Sequence, residues 1–236
     1  PLLPYQKKPY RKFWPGSKQA VDRGESHYLC TNLARGGVIK LFDAEKEEFL
    51  FADAGIVGVL ENGKPITSQW IDESYHVEAS NEGPVNWSVE GNTHFVTTKL
   101  FTPTKMMVFR AGMLALGWHA KLAHEIKGGI RDLLMTAAKT APLRFRRSIA
   151  IENGSLHVTD ALWLEDDARL TRVRLGGDFA ARYVPQSRYF QLHELAAPCF
   201  DLPEAKLAEL NTRRSLVVKR SVSLEDASLE VEYPTL

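Results

Sequence analysis

Along most of this chain apolar and polar residues alternate with a period of two, the spacing that sends successive side chains to opposite faces of a β-strand. The pattern predicts strands at 25–33, 38–42, 49–52, 56–61, 65–70, 76–79, 85–89 and 94–101 in the first half. In the second half it predicts strands at 143–151, 156–164, 170–175, 179–184, 189–192, 215–224 and 229–233, with one short helix over 203–210. Asn62-Gly63 and Asn153-Gly154 are dipeptides that readily take the positive φ angles of a type I′ hairpin turn, and each sits between two such runs.

The alternation also assigns faces. Around Asn153-Gly154, Leu143, Phe145, Ile149 and Ile151 fall on one side together with Leu156, Val158, Leu162 and Leu164. Arg144, Arg146, Thr159 and Trp163 fall on the other. One packed and one wet face is the habit of antiparallel sheets, and this many half-apolar strands must bury their inner faces against a second sheet. The expected fold is mainly β, a large antiparallel β-sandwich of supersandwich type.

Two segments depart from the pattern. Residues 1–24 carry four prolines before Gly16 and no periodicity, so they read as an irregular lead-in to a sandwich domain spanning 25–236. Pro1 in place of Met suggests that the natural chain continues upstream. Residues 103–140 are rich in Met, Ala, Leu and Lys and poor in β-branched residues, which predicts a helical insertion split in two at Gly128-Gly129.

Composition narrows the classes further. The 236 residues are 44% hydrophobic and 25% charged, which excludes disordered and collagen-like chains. Thirty basic and twenty-nine acidic residues leave a formal charge of +1, giving no general attraction for nucleic acid. The longest apolar run, Met106 to Trp118, is interrupted by Arg110 and too short to cross a bilayer. Its Met, Phe and Trp residues suit either packing or docking on an anionic membrane surface. Cys30 and Cys199 have no metal or redox spacing and are expected as lone buried thiols.

Several longer strings carry a family likeness. Arg35 to Trp70, Val89 to Met107, Ala141 to Asp160 and Ala181 to Gln191 resemble the C-terminal β domain of bacterial heparinase II/III-like proteins. The resemblance spans about residues 25–225. It implies a β-sandwich joined to an upstream α-helical toroid, in proteins whose characterised members cleave uronic-acid polysaccharides by β-elimination. The His-rich segment of those lyases has no counterpart here, so no catalytic residue is carried over. The implied role is that of an accessory domain that packs on the toroid and helps to bind acidic polysaccharide. Two alternatives stand beside it, an autonomous polysaccharide lyase and a membrane-surface module.

Candidate binding residues follow from glycan chemistry. Guanidinium forks match carboxylates and sulfates, and aromatic rings offer flat faces to sugar CH groups. Arg182, Tyr183, Arg188 and Tyr189 cluster around Pro185, with His193 nearby as a candidate base. A second cluster, Arg144, Arg146, Arg147 and Trp163, continues in Arg169, Arg172 and Arg174, and Arg146 and Trp163 are expected on one outward, basic and aromatic strip. His119 and His124 are spaced i, i+5, about 140° apart around a helix and poorly placed to chelate. The other histidines stand singly, as expected of structural or solvent-facing residues. Gly36-Gly37 and Gly176-Gly177 lack the context of a phosphate loop. No metal and no cofactor is expected.

Overall fold

The structure is a computed structural model that describes residues 6, 8–96, 107, 110–111, 139–165, 167–176 and 199–234. Five strands build a first antiparallel sheet in chain order: β1 (Tyr10–Trp14), β2 (Gln19–Arg23), β3 (His27–Asn32), β4 (Val38–Asp43) and β5 (Glu48–Asp53). The second sheet has ten strands. They are β6 (Ile56–Leu60), β7 (Pro65–Thr67), β8 (His76–Glu78), β9 (Asn86–Phe95), β10 (Thr140–Glu152), β11 (Ser155–Leu164), β12 (Leu170–Gly176), β13 (Cys199–Asp201), β14 (Ser215–Ser223) and β15 (Leu229–Glu232). Their order across the sheet is β13-β12-β6-β7-β9-β10-β11-β14-β15, with β8 also paired to β9. The fold is mainly β and sandwich-like, as the alternation predicts.

The core follows from the inward positions of both sheets. Leu29, Ile39, Leu41 and Phe51 from the first sheet join Phe145, Ile149, Val158, Leu162 and Val218 from the second in one buried cluster. In β10 and β11, Leu143 faces Leu164, Phe145 faces Leu162 and Ile149 faces Val158, the pairing that the hairpin pattern implies. Asn153 and Gly154 both have positive φ, at 50° and 73°, which is what a type I′ turn demands. The Asn62-Gly63 connection is different. Only Gly63 is left-handed, and a four-residue loop is closed by Leu60 N–H donating to the Lys64 carbonyl at 3.0 Å.

Residues 10–23, read from sequence as irregular, form β1 and β2. Pro9 and Pro15 flank β1 rather than interrupt it, so no ladder N–H is lost. The stretch read as two strands, 85–89 and 94–101, contains one continuous ten-residue strand, β9. Gly91 sits inside β9 because a Cβ there would lie 2.2 Å from Cδ1 of Tyr75; the glycine admits an aromatic ring and does not break the strand. The helix expected near 203–210 is α1 (Glu204–Arg213), opened by Pro203 and closed at Arg214, whose N–H donates to the Leu210 carbonyl.

Residues 96–139 separate from the sandwich as a second compact unit. Within it Met107, Arg110 and Ala111 are helical, while the rest of the expected helical pair lies outside the described residues. Strands β9 and β10, between which this unit is inserted, are antiparallel neighbours, with His94 opposite Thr140.

Candidate functional site

The inward faces carry charge where apolar residues were expected. Arg147 on β10, Asp160 on β11 and Arg220 on β14 each occupy an inward position, and Asp53 reaches them from β5 of the opposing sheet. All four are essentially unexposed. Arg147 donates through Nε to Asp160 Oδ1 at 2.7 Å and through Nη2 to Oδ2 at 3.1 Å, a bidentate fork. Its Nη1 donates to Asp53 Oδ1 at 2.9 Å and to the Gly37 carbonyl at 3.2 Å. Arg220 Nη2 lies 2.6 Å from both Asp160 Oδ2 and Asp53 Oδ2.

Two guanidinium groups and two carboxylates make a neutral set. Burial pushes the Asp53 carboxyl up, but Arg147, Arg220 and the Gly55 N–H together hold it below the ordinary carboxylate value. The mirror effect raises Arg147, where Asp160 and Asp53 outweigh desolvation. No face of the set meets solvent, so it ties the two sheets together and cannot receive a substrate. Sequence reasoning grouped Arg147 with Arg144, Arg146 and Trp163 as one candidate binding cluster. Its position between Phe145 and Ile149 on the inner face corrects that, and period two alone would have found it.

A second polar chain runs through Asp72, His94 and Tyr75. His94 Nε2 is 2.9 Å from Asp72 Oδ2, and the Tyr75 hydroxyl is 3.4 Å from His94 Nδ1. The hydroxyl is also 3.2 Å from the carbonyls of Ser68 and Asn92. Burial lowers the His94 pKa against the opposing pull of Asp72 and raises that of Tyr75, where the Asp72 charge adds to it. Carboxylate, imidazole and phenol are ordered as in an acid–base relay. Yet Tyr75 is only 3% exposed, its hydroxyl hemmed in by backbone carbonyls, so the chain acts as a tie. His27 is equally internal, 2.8 Å from Asp22, which also binds Arg11.

The outward face of the ten-stranded sheet keeps part of the expected strip. Arg144 stands directly opposite Trp163, with its guanidinium 5.7 Å from the indole centroid. Arg146 shares that outward face but is paired in register with Ala161, so it neighbours Trp163 without facing it. The strip is not simply basic. Arg144 donates to Glu90 and Arg146 to Glu78 at 3.3 Å, while Glu78 also accepts from Ser88 at 2.9 Å. Ser88 and His76 chiefly hold the Glu78 carboxyl below its ordinary value. Arg172 and Arg174 share Asp201, whose carboxyl they depress strongly. Glu90 and Glu78 lie 54 and 68 residues before their arginine partners and were missed, because local spacing carries no sign of them.

The other expected residues divide cleanly. Arg182, Tyr183, Arg188, Tyr189 and His193 lie outside the described residues, as do His119 and His124. Cys30 and Cys199 are free thiols, but neither is buried as expected: Cys30 is half-buried on β3, and Cys199 is exposed because β13 lies at a sheet edge. Among the described residues no group of three or more His, Cys, Asp or Glu could hold a metal ion. No described helix is long and apolar enough to cross a membrane. Set against known proteins, the chain matches no family model, no curated protein and no solved structure.

Proposed function

We propose that this chain is an accessory β-sandwich domain that helps to bind acidic polysaccharide and packs against a helical toroid domain, with the reactive groups of any cleavage residing elsewhere. The observation that carries the reading is the Arg144 guanidinium lying over the half-buried Trp163 on the outward face of the ten-stranded sheet, with Arg146 on the same face and both arginines exposed. An indole offers a flat apolar surface to the CH face of a sugar, and each guanidinium has five N–H donors. Glu90 and Glu78 each engage only an Nη2 group. Exposed ion pairs contribute little to stability, so a polymer carboxylate or sulfate exchanges for these glutamates at small cost. The buried polar chains support the same division of labour, because neither Tyr75 nor the four-charge set is open to a substrate.

Calorimetric titration with size-defined heparin, hyaluronan and alginate oligosaccharides tests the reading. Binding that weakens as salt rises, and falls at least several-fold in Arg144→Ala/Arg146→Ala, is the expected result. No binding to any of the three, or binding indifferent to both arginines, overturns it. The same mixtures are expected to form no unsaturated uronate product; its appearance would make the domain a lyase.

A further inference from the structure

The outer face of the five-stranded sheet has a chemistry that the Trp163 face lacks. One row across it runs Tyr10, Arg23, Tyr28, Phe42 and Phe49, each directly opposite the next on adjacent strands. Four strand spacings of about 4.8 Å make this row about 19 Å long. Phe42 and Phe49 meet edge to face at 5.5 Å between centroids. The neighbouring row contains Lys12 and Lys40, both exposed, and beyond Lys12 stands Trp14, 40% exposed, with the Lys12 ammonium 5.7 Å from its ring centroid.

No aspartate or glutamate stands in either row; in the same sheet Asp22, Asp43 and Asp53 are buried, while Glu48 is exposed at the start of β5, opposite Asp43 and next to Phe49. The contrast with Arg144 and Arg146 is direct. Those cations already hold carboxylates, whereas Lys12 and Lys40 have none within ion-pair distance among the described residues. A ligand with both negative charge and flat CH surfaces would complement this face. A phosphate polymer fits less well, because its dense charge calls for more cations than this face and a net charge of +1 supply.

We propose that the outer face of the five-stranded sheet is a second platform for acidic polysaccharide, its rings stacking on sugar faces and Lys12 and Lys40 pairing with carboxylates or sulfates. The ligand class rests on the reading given under Proposed function; the platform itself is a separate site. The two faces look away from one another across the sandwich, so the domain is bivalent and links separate stretches of polymer.

Titration with a short acidic oligosaccharide that is found to bind tests this by stoichiometry. Two sites are expected in the natural chain. Lys12→Glu/Lys40→Glu, both on exposed positions, is expected to leave one site and weaken the lost one at least tenfold, with circular dichroism unchanged. Arg144→Ala/Trp163→Ala is expected to remove the other. A single site abolished by the Arg144/Trp163 variant but untouched by the lysine reversals overturns the second platform and leaves the first reading standing. No binding by the natural chain overturns both. A lysine variant that alters self-association while glycan stoichiometry stays the same assigns the face to a protein contact and likewise overturns the proposal.

Discussion

Arg146 and Arg147 are consecutive residues of one strand, and they show how depth changes what a charge does. Arg146 points to solvent, is about half exposed and touches one carboxylate at 3.3 Å. Arg147 points between the sheets, is unexposed and uses its donors on two aspartates and a backbone carbonyl. Outside, water competes with the ion pair and the guanidinium stays available to a ligand. Inside, each charge needs its partners, because an unpaired ion in the core is far costlier than any pair is favourable.

The most direct way to break this contrast is to remove one buried partner. Asp160→Asn leaves Arg147 and Arg220 undercompensated and is expected to cost about 3–5 kcal/mol in denaturant unfolding. A loss below about 1 kcal/mol would mean that the interior set is no more demanding than the surface. Replacing both members of the fork, as Arg147→Met/Asp160→Leu, sharpens the point. The double variant is expected to be more stable than Asp160→Asn, because no half of that fork remains buried without the other.

A middle-sized effect belongs to the Tyr75 tie. Tyr75→Phe removes the hydroxyl from His94 and from two carbonyls and is expected to cost about 1–3 kcal/mol. Thermal unfolding indistinguishable from the natural chain would show that the hydroxyl contributes nothing there.

The acid limb of stability follows from Asp53. Its folded pKa lies below the ordinary value of 3.8, so between the two values the unfolded chain binds more protons and stability rises with pH. The contribution is present above about pH 4 and is lost as pH falls through the folded value. The slope below pH 4 is therefore expected to flatten in Asp53→Asn, and an unchanged acid limb would assign the loss to other carboxylates. Smallest of all, Arg144→Ala is expected to shift stability by less than about 1 kcal/mol while lowering glycan affinity. A large stability loss would make that arginine structural.

Much of the architecture was legible in period two. The hairpin faces of β10 and β11 and the sandwich class follow from alternation alone. The buried charges were half legible: Arg147, Asp160 and Arg220 each interrupt an inward apolar row, between Phe145 and Ile149, Val158 and Leu162, and Val218 and Val222. Grouping Arg147 with Arg144 and Arg146 by charge hid that signal. Asp53 was not legible, because its partners arrive only when the two sheets pack. Strands β1 and β2 were obscured by nearby prolines that border the ladder, and β9 read as two separate runs, with nothing local to show that the Tyr75 ring fits over Gly91 between them. On the surface, Trp163 and the two arginines were found, whereas the glutamates that hold them were set by strand order across the sheet.

The junction between β9 and β10 has a practical consequence. His94 and Thr140 are cross-strand partners, so the segment between them leaves and re-enters the sheet through a doorway one strand spacing wide. In connectivity β9 and β10 are joined as the strands of a hairpin are, by a single segment between antiparallel neighbours. The sandwich offers there a natural port where a different cargo module could be exchanged without rewiring a ladder.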